Sequence, residues 1–225
     1  MLRLTLLMLT AFFSQLTSAY EVSPMYLELE DRGKNTQDNY TITNPEEYSI
    51  AVEATVFKME RDADNVETLT PAEDEFLILP PQAIVKANQS QLFRVRFMPS
   101  GPIDKTVTYR VIFTQLEFED DVDEESNVTM LLEFATLVFV SPVGSTPEAL
   151  VTFEKDHSLI VKNTGSRVLD LSTLNFTLSG KNQTVVTWSN LNRGRYSDYV
   201  MPSRTMTYEF PEALNSIKSI SVSND

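Results

Sequence analysis

At 225 residues, 42% of them hydrophobic, the chain is long enough for one large domain or two small ones and too apolar for general disorder. Its 18 Lys+Arg against 32 Asp+Glu leave a net charge of −14, which repels a polyanion and excludes nucleic acid as a partner. The absence of cysteine excludes disulfides, thiolate metal sites and thiol nucleophiles, and a single histidine, His157, argues against a Ser–His or His-rich centre. No catalytic residue, metal or cofactor is expected.

Residues 1–19 read as a cleaved secretory signal. Arg3 precedes the apolar run Leu4 to Phe13, and Thr17-Ser18-Ala19 offers small residues for cleavage. The run is too short to span a membrane, so an exported chain with no membrane insertion is expected after cleavage. Export without cysteine suits a bacterial envelope compartment better than a disulfide-bonded eukaryotic secreted domain.

The rest reads as strands, with period-2 alternation and β-branched or aromatic runs broken by Pro, Gly, Asn and Asp. In chain order these are Met25 to Leu29, Tyr40 to Thr43, Ile50 to Phe57, Phe76 to Leu79, Leu92 to Met98, Tyr109 to Phe118 and Met130 to Val140. After the Pro/Gly/Ser cluster Pro142 to Pro147 come Leu150 to Phe153, Leu159 to Lys162, Val168 to Leu171, Leu174 to Leu178, Val185 to Trp188, Thr205 to Phe210 and Ile217 to Val222. Beyond the signal no window keeps a capped helical period. An all-β protein follows, with one sandwich over 20–142, a linker at 143–148 and a second sandwich over 149–225. Trp188 is expected in the second core, and His157 in a turn.

The last strand of the first domain stands out. Val128, Met130, Leu132, Phe134, Thr136 and Val138 occupy one parity; Leu131, Ala135, Leu137 and Phe139 the other, and only Glu133 is charged. A strand needs one apolar face for its own core, and an edge strand apolar on both is an aggregation hazard unless a partner covers it. Just before it, Glu117 to Glu125 carries seven carboxylates, read as a solvated loop that keeps this edge soluble; a calcium loop would need a glycine at its turn.

Several fragments occur in an informative order: Ile78-Leu79-Pro80-Pro81, Gln91-Leu92-Phe93-Arg94-Val95-Arg96, Tyr109-Arg110-Val111-Ile112-Phe113, Thr136 to Pro142, Leu159 to Gly165 and Tyr199 to Ser203. This order resembles the periplasmic chaperones of chaperone–usher pili, in a branch serving atypical fimbriae. The resemblance implies two immunoglobulin-like domains set at an angle and a non-enzymatic role in the periplasm. It implies binding of a fimbrial subunit by lending a strand to the subunit's incomplete fold, then delivery to an outer-membrane usher. The lent residues would be Val128, Met130, Leu132 and Phe134, and the free chaperone would cover this surface by self-association. Typical members anchor the subunit's terminal carboxylate with an Arg on the first strand and a Lys on the last strand of domain one. Those places fall near Tyr26 and Leu137 here, neither basic, so Arg96 and Arg110, expected on neighbouring strands, are the candidate anchor. The family's basic residue before the linker is replaced by Ser141, which puts the usual interdomain salt bridge in doubt. The alternative reading is a secreted two-domain structural or adhesive protein, such as a pilus component.

Overall fold

The computed structural model describes residues 19–62, 66–99, 101–117, 131–154, 158–210 and 217–224. Residues 1–18 of the expected 1–19 signal, the acidic residues after Glu117, Val128, Met130 and His157 lie outside these. The first domain contains β1 (Glu21–Ser23), β2 (Tyr26–Glu30), β3 (Gln37–Asn44), β4 (Ile50–Arg61), β5 (Glu67–Pro71), β6 (Phe76–Leu79), β7 (Gln82–Val85), β8 (Gln89–Phe97), β9 (Val107–Leu116) and β10 (Glu133–Ser141). One sheet runs β1-β3-β8-β6; the other runs β2-β10-β9-β4-β5, with β7 also paired to β4. Only β2 and β10 pair in parallel among the described strands. Pro24, which has no N–H to give a ladder, separates β1 from β2 as the chain changes sheets.

Alternation builds the core. Tyr40 and Ile42 on β3, Phe93, Val95 and Phe97 on β8, Val52 and Val56 on β4, Tyr109, Val111 and Phe113 on β9, and Val138 and Val140 on β10 are all buried between the sheets. Phe113 meets Tyr40 and Phe93 edge-on, at centroid distances of 5.2 and 5.4 Å. Thr136 is the polar exception on the inward face of β10. Its hydroxyl is satisfied, lying 2.9 Å from both the Tyr40 hydroxyl and the Val111 carbonyl.

The second domain contains β11 (Ala149–Phe153), β12 (Ser158–Asn163), β13 (Leu169–Asp170), β14 (Leu174–Ser179), β15 (Gln183–Thr187), the short helix α1 (Trp188–Asn192), β16 (Tyr199–Val200), β17 (Thr205–Glu209) and β18 (Ser219–Asn224). Its sheets are β11-β12-β17, β13-β16 and β15-β14-β18. Trp188 is 1% exposed at its centre, and its indole N–H donates to Asp198 Oδ1 at 2.6 Å. The protein is thus nearly all strand, in two immunoglobulin-like sandwiches with separate cores.

One device appears in both domains. Asn44, ending β3, and Asn163, ending β12, are fully buried. Each accepts from the backbone N–H two residues on, Glu46 or Gly165, at 3.0 Å. Each amide also donates to the carbonyl four residues on and to a distant one: Tyr48 and Val85 for Asn44, Arg167 and Val200 for Asn163. Gly165 has a further constraint, because a Cβ there would stand 2.3 Å from the Thr146 carbonyl oxygen of the linker. Only glycine lets the linker backbone pass so close.

Asn163→Ala would orphan two carbonyls and two N–H groups, those of Gly165 and Glu148, at the edge of the second core. It is expected to lower that domain's unfolding free energy by about 2 kcal/mol, read by Trp188 fluorescence in a urea titration; a curve superimposable on wild type would contradict this role.

Candidate functional site

Strand β10 has two different edges. One edge is paired with β9 along its length, from Glu133 opposite Thr114 to Val140 opposite Val107. The other meets β2 only from Leu137 to Ser141. A strand residue points its N–H and C=O to one side, and the side alternates. The Leu132 carbonyl accepts from Gln115 of β9 at 2.9 Å, so even-numbered residues face β9. Leu137 N–H donates to the Met25 carbonyl at 3.0 Å, so odd-numbered residues face the other edge. Before Leu137 that edge has no strand beside it among the described residues, and the backbone groups of Leu131, Glu133 and Ala135 point into it.

The side chains along β10 correct part of the sequence reading. Leu132 and Phe134 are half-buried and pack against the first domain's core, on the inward parity shared with Thr136, Val138 and Val140. They are not on a spare second face. Phe134 meets Tyr20 edge-on at 4.7 Å. The second face is divided: Leu131, Glu133 and Ala135 are exposed, Leu137 is half-buried, and Phe139 is buried under Tyr199 of the second domain at a centroid distance of 4.8 Å. Half of the apolar excess is therefore used inside the molecule.

The outer face of the six-stranded sheet carries a transverse row, Tyr26–Leu137–Arg110–Phe57, in which each residue is the register partner of the next. The two places where the sequence lacks the expected basic residues, Tyr26 and Leu137, are thus directly opposed, and Arg110 stands next to Leu137. Arg110 is two strands from Tyr26, roughly 10 Å at ordinary strand spacing. Glu67 of β5 grips Arg110 with Oε1 2.6 Å from Nε and Oε2 2.8 Å from an Nη, and also lies 3.0 Å from an Nη of Arg61. Hydrogen bonding to Arg110 holds the Glu67 carboxyl below its ordinary pKa. Its contribution to stability is present above the ordinary carboxylate range and fades as pH falls through the lowered value. The remaining N–H donors of the Arg110 fork have no bonded acceptor among the described residues.

Arg96 is placed elsewhere. It lies on β8 in the other sheet, exposed on that sheet's outer face beside Arg94, so the expectation that it neighbours Arg110 is overturned. Both sheets of the sandwich stand between the two side chains, and they cannot converge on one ligand.

The second domain forms one wall of this row. Tyr199 meets Tyr26 at 5.2 Å as well as Phe139, and Thr108 Oγ1 is 3.4 Å from Met201 Sδ. Burial, and then a hydrogen bond with Tyr26, push the Tyr199 hydroxyl above its ordinary pKa, so it stays a donor. Arg204 donates to the Arg61 and Asp62 carbonyls. Ser141 bonds the Thr106 hydroxyl at 2.8 Å, and Thr106 Oγ1 accepts from Val168 N–H at 2.9 Å. An interdomain ion pair is present with different partners: Arg167 donates to Glu28 Oε2 at 2.8 Å, with Glu30 3.9 Å away. The sequence reading missed Tyr20, Glu67, Arg167 and Tyr199. Of these only Glu67 left a local trace, facing Arg61 across a tight hairpin.

Solved structures share this architecture. The class 5 fimbriae chaperone CfaA superposes with a TM-score of 0.58 at 13% identity, over 84% of each chain. The SafB chaperone, solved with the Salmonella enterica SafA pilin, gives 0.56 at 17% identity over 92% of this chain and 96% of that one. A structure of the CsuC–CsuE chaperone–tip adhesion subunit complex from Acinetobacter baumannii gives 0.53 at 17%, over 85% and 90%. No curated protein matches the sequence. Residues 26–146, more than half of the chain, match the family model for the pili and flagellar-assembly chaperone, PapD N-terminal domain, and the chain belongs to that family.

Proposed function

We propose that this protein is a periplasmic assembly chaperone, a binding protein and not an enzyme, that holds a fimbrial subunit by strand addition and passes it to an outer-membrane usher. The observation that carries this reading is the open edge of β10 before Leu137, flanked by the half-buried Leu132 and Phe134. A subunit lacking a strand would pair its backbone with Leu131, Glu133 and Ala135. Its core would meet Leu132 and Phe134, extending the first domain's own core beyond Tyr20, with Val128 and Met130 of the same sequence parity as the further lent residues. Each such side chain contributes about 1.5–3 kcal/mol when fully buried, before ordering costs. The free chain would cover the same edge by self-association.

Where the open edge ends, β2 blocks any further pairing at Tyr26 and Leu137. A bound strand must stop there, beside Arg110. A terminal carboxylate at this point would find the free donors of a guanidinium already held in place by Glu67, which limits the cost of leaving water. Arg110 is the anchor in this reading, and Arg96 is not. The alternative, a pilus component with a free donor segment at its start, is disfavoured because β1 and β2 are both paired within the first sandwich.

Co-expression of the mature chain with candidate fimbrial subunits from neighbouring genes is expected to yield a one-to-one complex. Met130→Asp and Leu132→Asp should each abolish that complex while far-ultraviolet circular dichroism remains native; an intact complex in both would overturn strand addition. Arg110→Ala is expected to weaken binding at least about tenfold, a loss of roughly 1.4 kcal/mol, whereas Glu67→Gln should tighten it and Arg96→Ala leave it unchanged. Equal affinity for wild type and Arg110→Ala would remove Arg110 as the anchor.

A further inference from the structure

Tyr20 immediately precedes β1, and on the parity it shares with Val22 it is buried between the sheets at 2% exposure. Its hydroxyl donates to the Phe113 carbonyl of β9 at 2.7 Å, with the Leu132 carbonyl 3.3 Å away. Its ring lies edge-on against Phe134. One side chain from the opposite sheet therefore touches both strands of the β9–β10 hairpin, in the stretch where β10 has no β2 beside it. The Leu132 carbonyl it reaches is the same one that accepts from Gln115 N–H, the last described bond of the hairpin toward its tip. Burial first, and the charge of Glu133 second, push the phenol above its ordinary pKa, so it keeps its proton as a donor.

We propose that Tyr20 is the positioning residue of the subunit-binding strand, holding the β10 backbone at Leu132 and the Phe134 ring in the extended arrangement that an incoming strand must meet. This rests on the strand-addition reading above. A strand tied on one edge only is free to fray, and ordering it during capture subtracts from affinity; a tie at its base removes part of that cost beforehand. Tyr40 of β3 ties the same strand further along, at Thr136 and the Leu137 carbonyl; at Leu132, Tyr20 is the described side chain that reaches it from the facing sheet.

The test is Tyr20→Phe, which keeps the ring and deletes the hydroxyl. In the free chain, the Gln115 amide is expected to exchange its hydrogen about fivefold faster, the effect of one lost hydrogen bond. Amides of strand β4 that exchange through local openings should stay at wild-type values, and the Tm should fall by no more than a few degrees. With the subunit that co-purifies with the wild-type chain as probe, presented from denaturant, the association rate should fall by a similar factor. Unchanged exchange at Gln115, faster exchange at all amides in step with a lower Tm, or an unchanged association rate would each overturn the positioning role. Failure of the wild-type chain to capture any subunit would instead overturn the strand-addition reading on which it rests.

Discussion

Strand β10 changes neighbours at Leu137, and the organisation of the first domain follows from that change. On the carboxyl side β10 is an interior strand, saturated by β9 and β2, with Val138 and Val140 in one core and Phe139 under Tyr199. On the amino side the same backbone has one filled edge and one open one. Backbone groups in such an edge are a template for another strand, which most proteins blunt with charge, Pro or a covering element. Here the exposed Glu133 is the only charged residue from Leu131 to Ser141. A single carboxylate hinders indiscriminate pairing without closing the edge.

The domain interface turns this edge into a bounded site. Arg167 with Glu28, Thr106 with Ser141 and Val168, and Arg204 with the carbonyls at the end of β4 fix the second domain against one half of the six-stranded sheet. Tyr199 covers Phe139 and borders Tyr26, so the row Tyr26–Leu137–Arg110 lies at the foot of a wall rather than on an open surface. Arg110 stands in that row, held by Glu67, within a chain of net charge −14.

Much of this was legible in the sequence, because alternation reports directly on a sandwich. Phe93, Val95 and Phe97, or Tyr109, Val111 and Phe113, have no reading other than a half-buried strand. The polar, Pro-ended β5 and the short β7 after Pro80-Pro81 escaped, since neither carries an apolar stripe. So did α1, only five residues long. The doubly apolar character of β10 was visible, but not its cause. Whether Phe139 faces a partner or the chain's own second domain depends on Tyr199, sixty residues away in another sandwich. Arg96 and Arg110 both show outward parity, yet the β8–β9 connection crosses between sheets, and local pattern does not record that crossing. The opposition of Tyr26 and Leu137 likewise exists only in the parallel register of β2 and β10.

The most direct measurement follows individual backbone amides of β10 by hydrogen exchange in the chain alone and in its purified complex with a subunit. The account predicts that Glu133 and Ala135, whose N–H groups point into the unpaired edge, exchange rapidly in the free monomer and become strongly protected once a subunit is bound. If both amides exchange as fast in the complex as in the free monomer, the subunit is held by some other surface and the account is wrong.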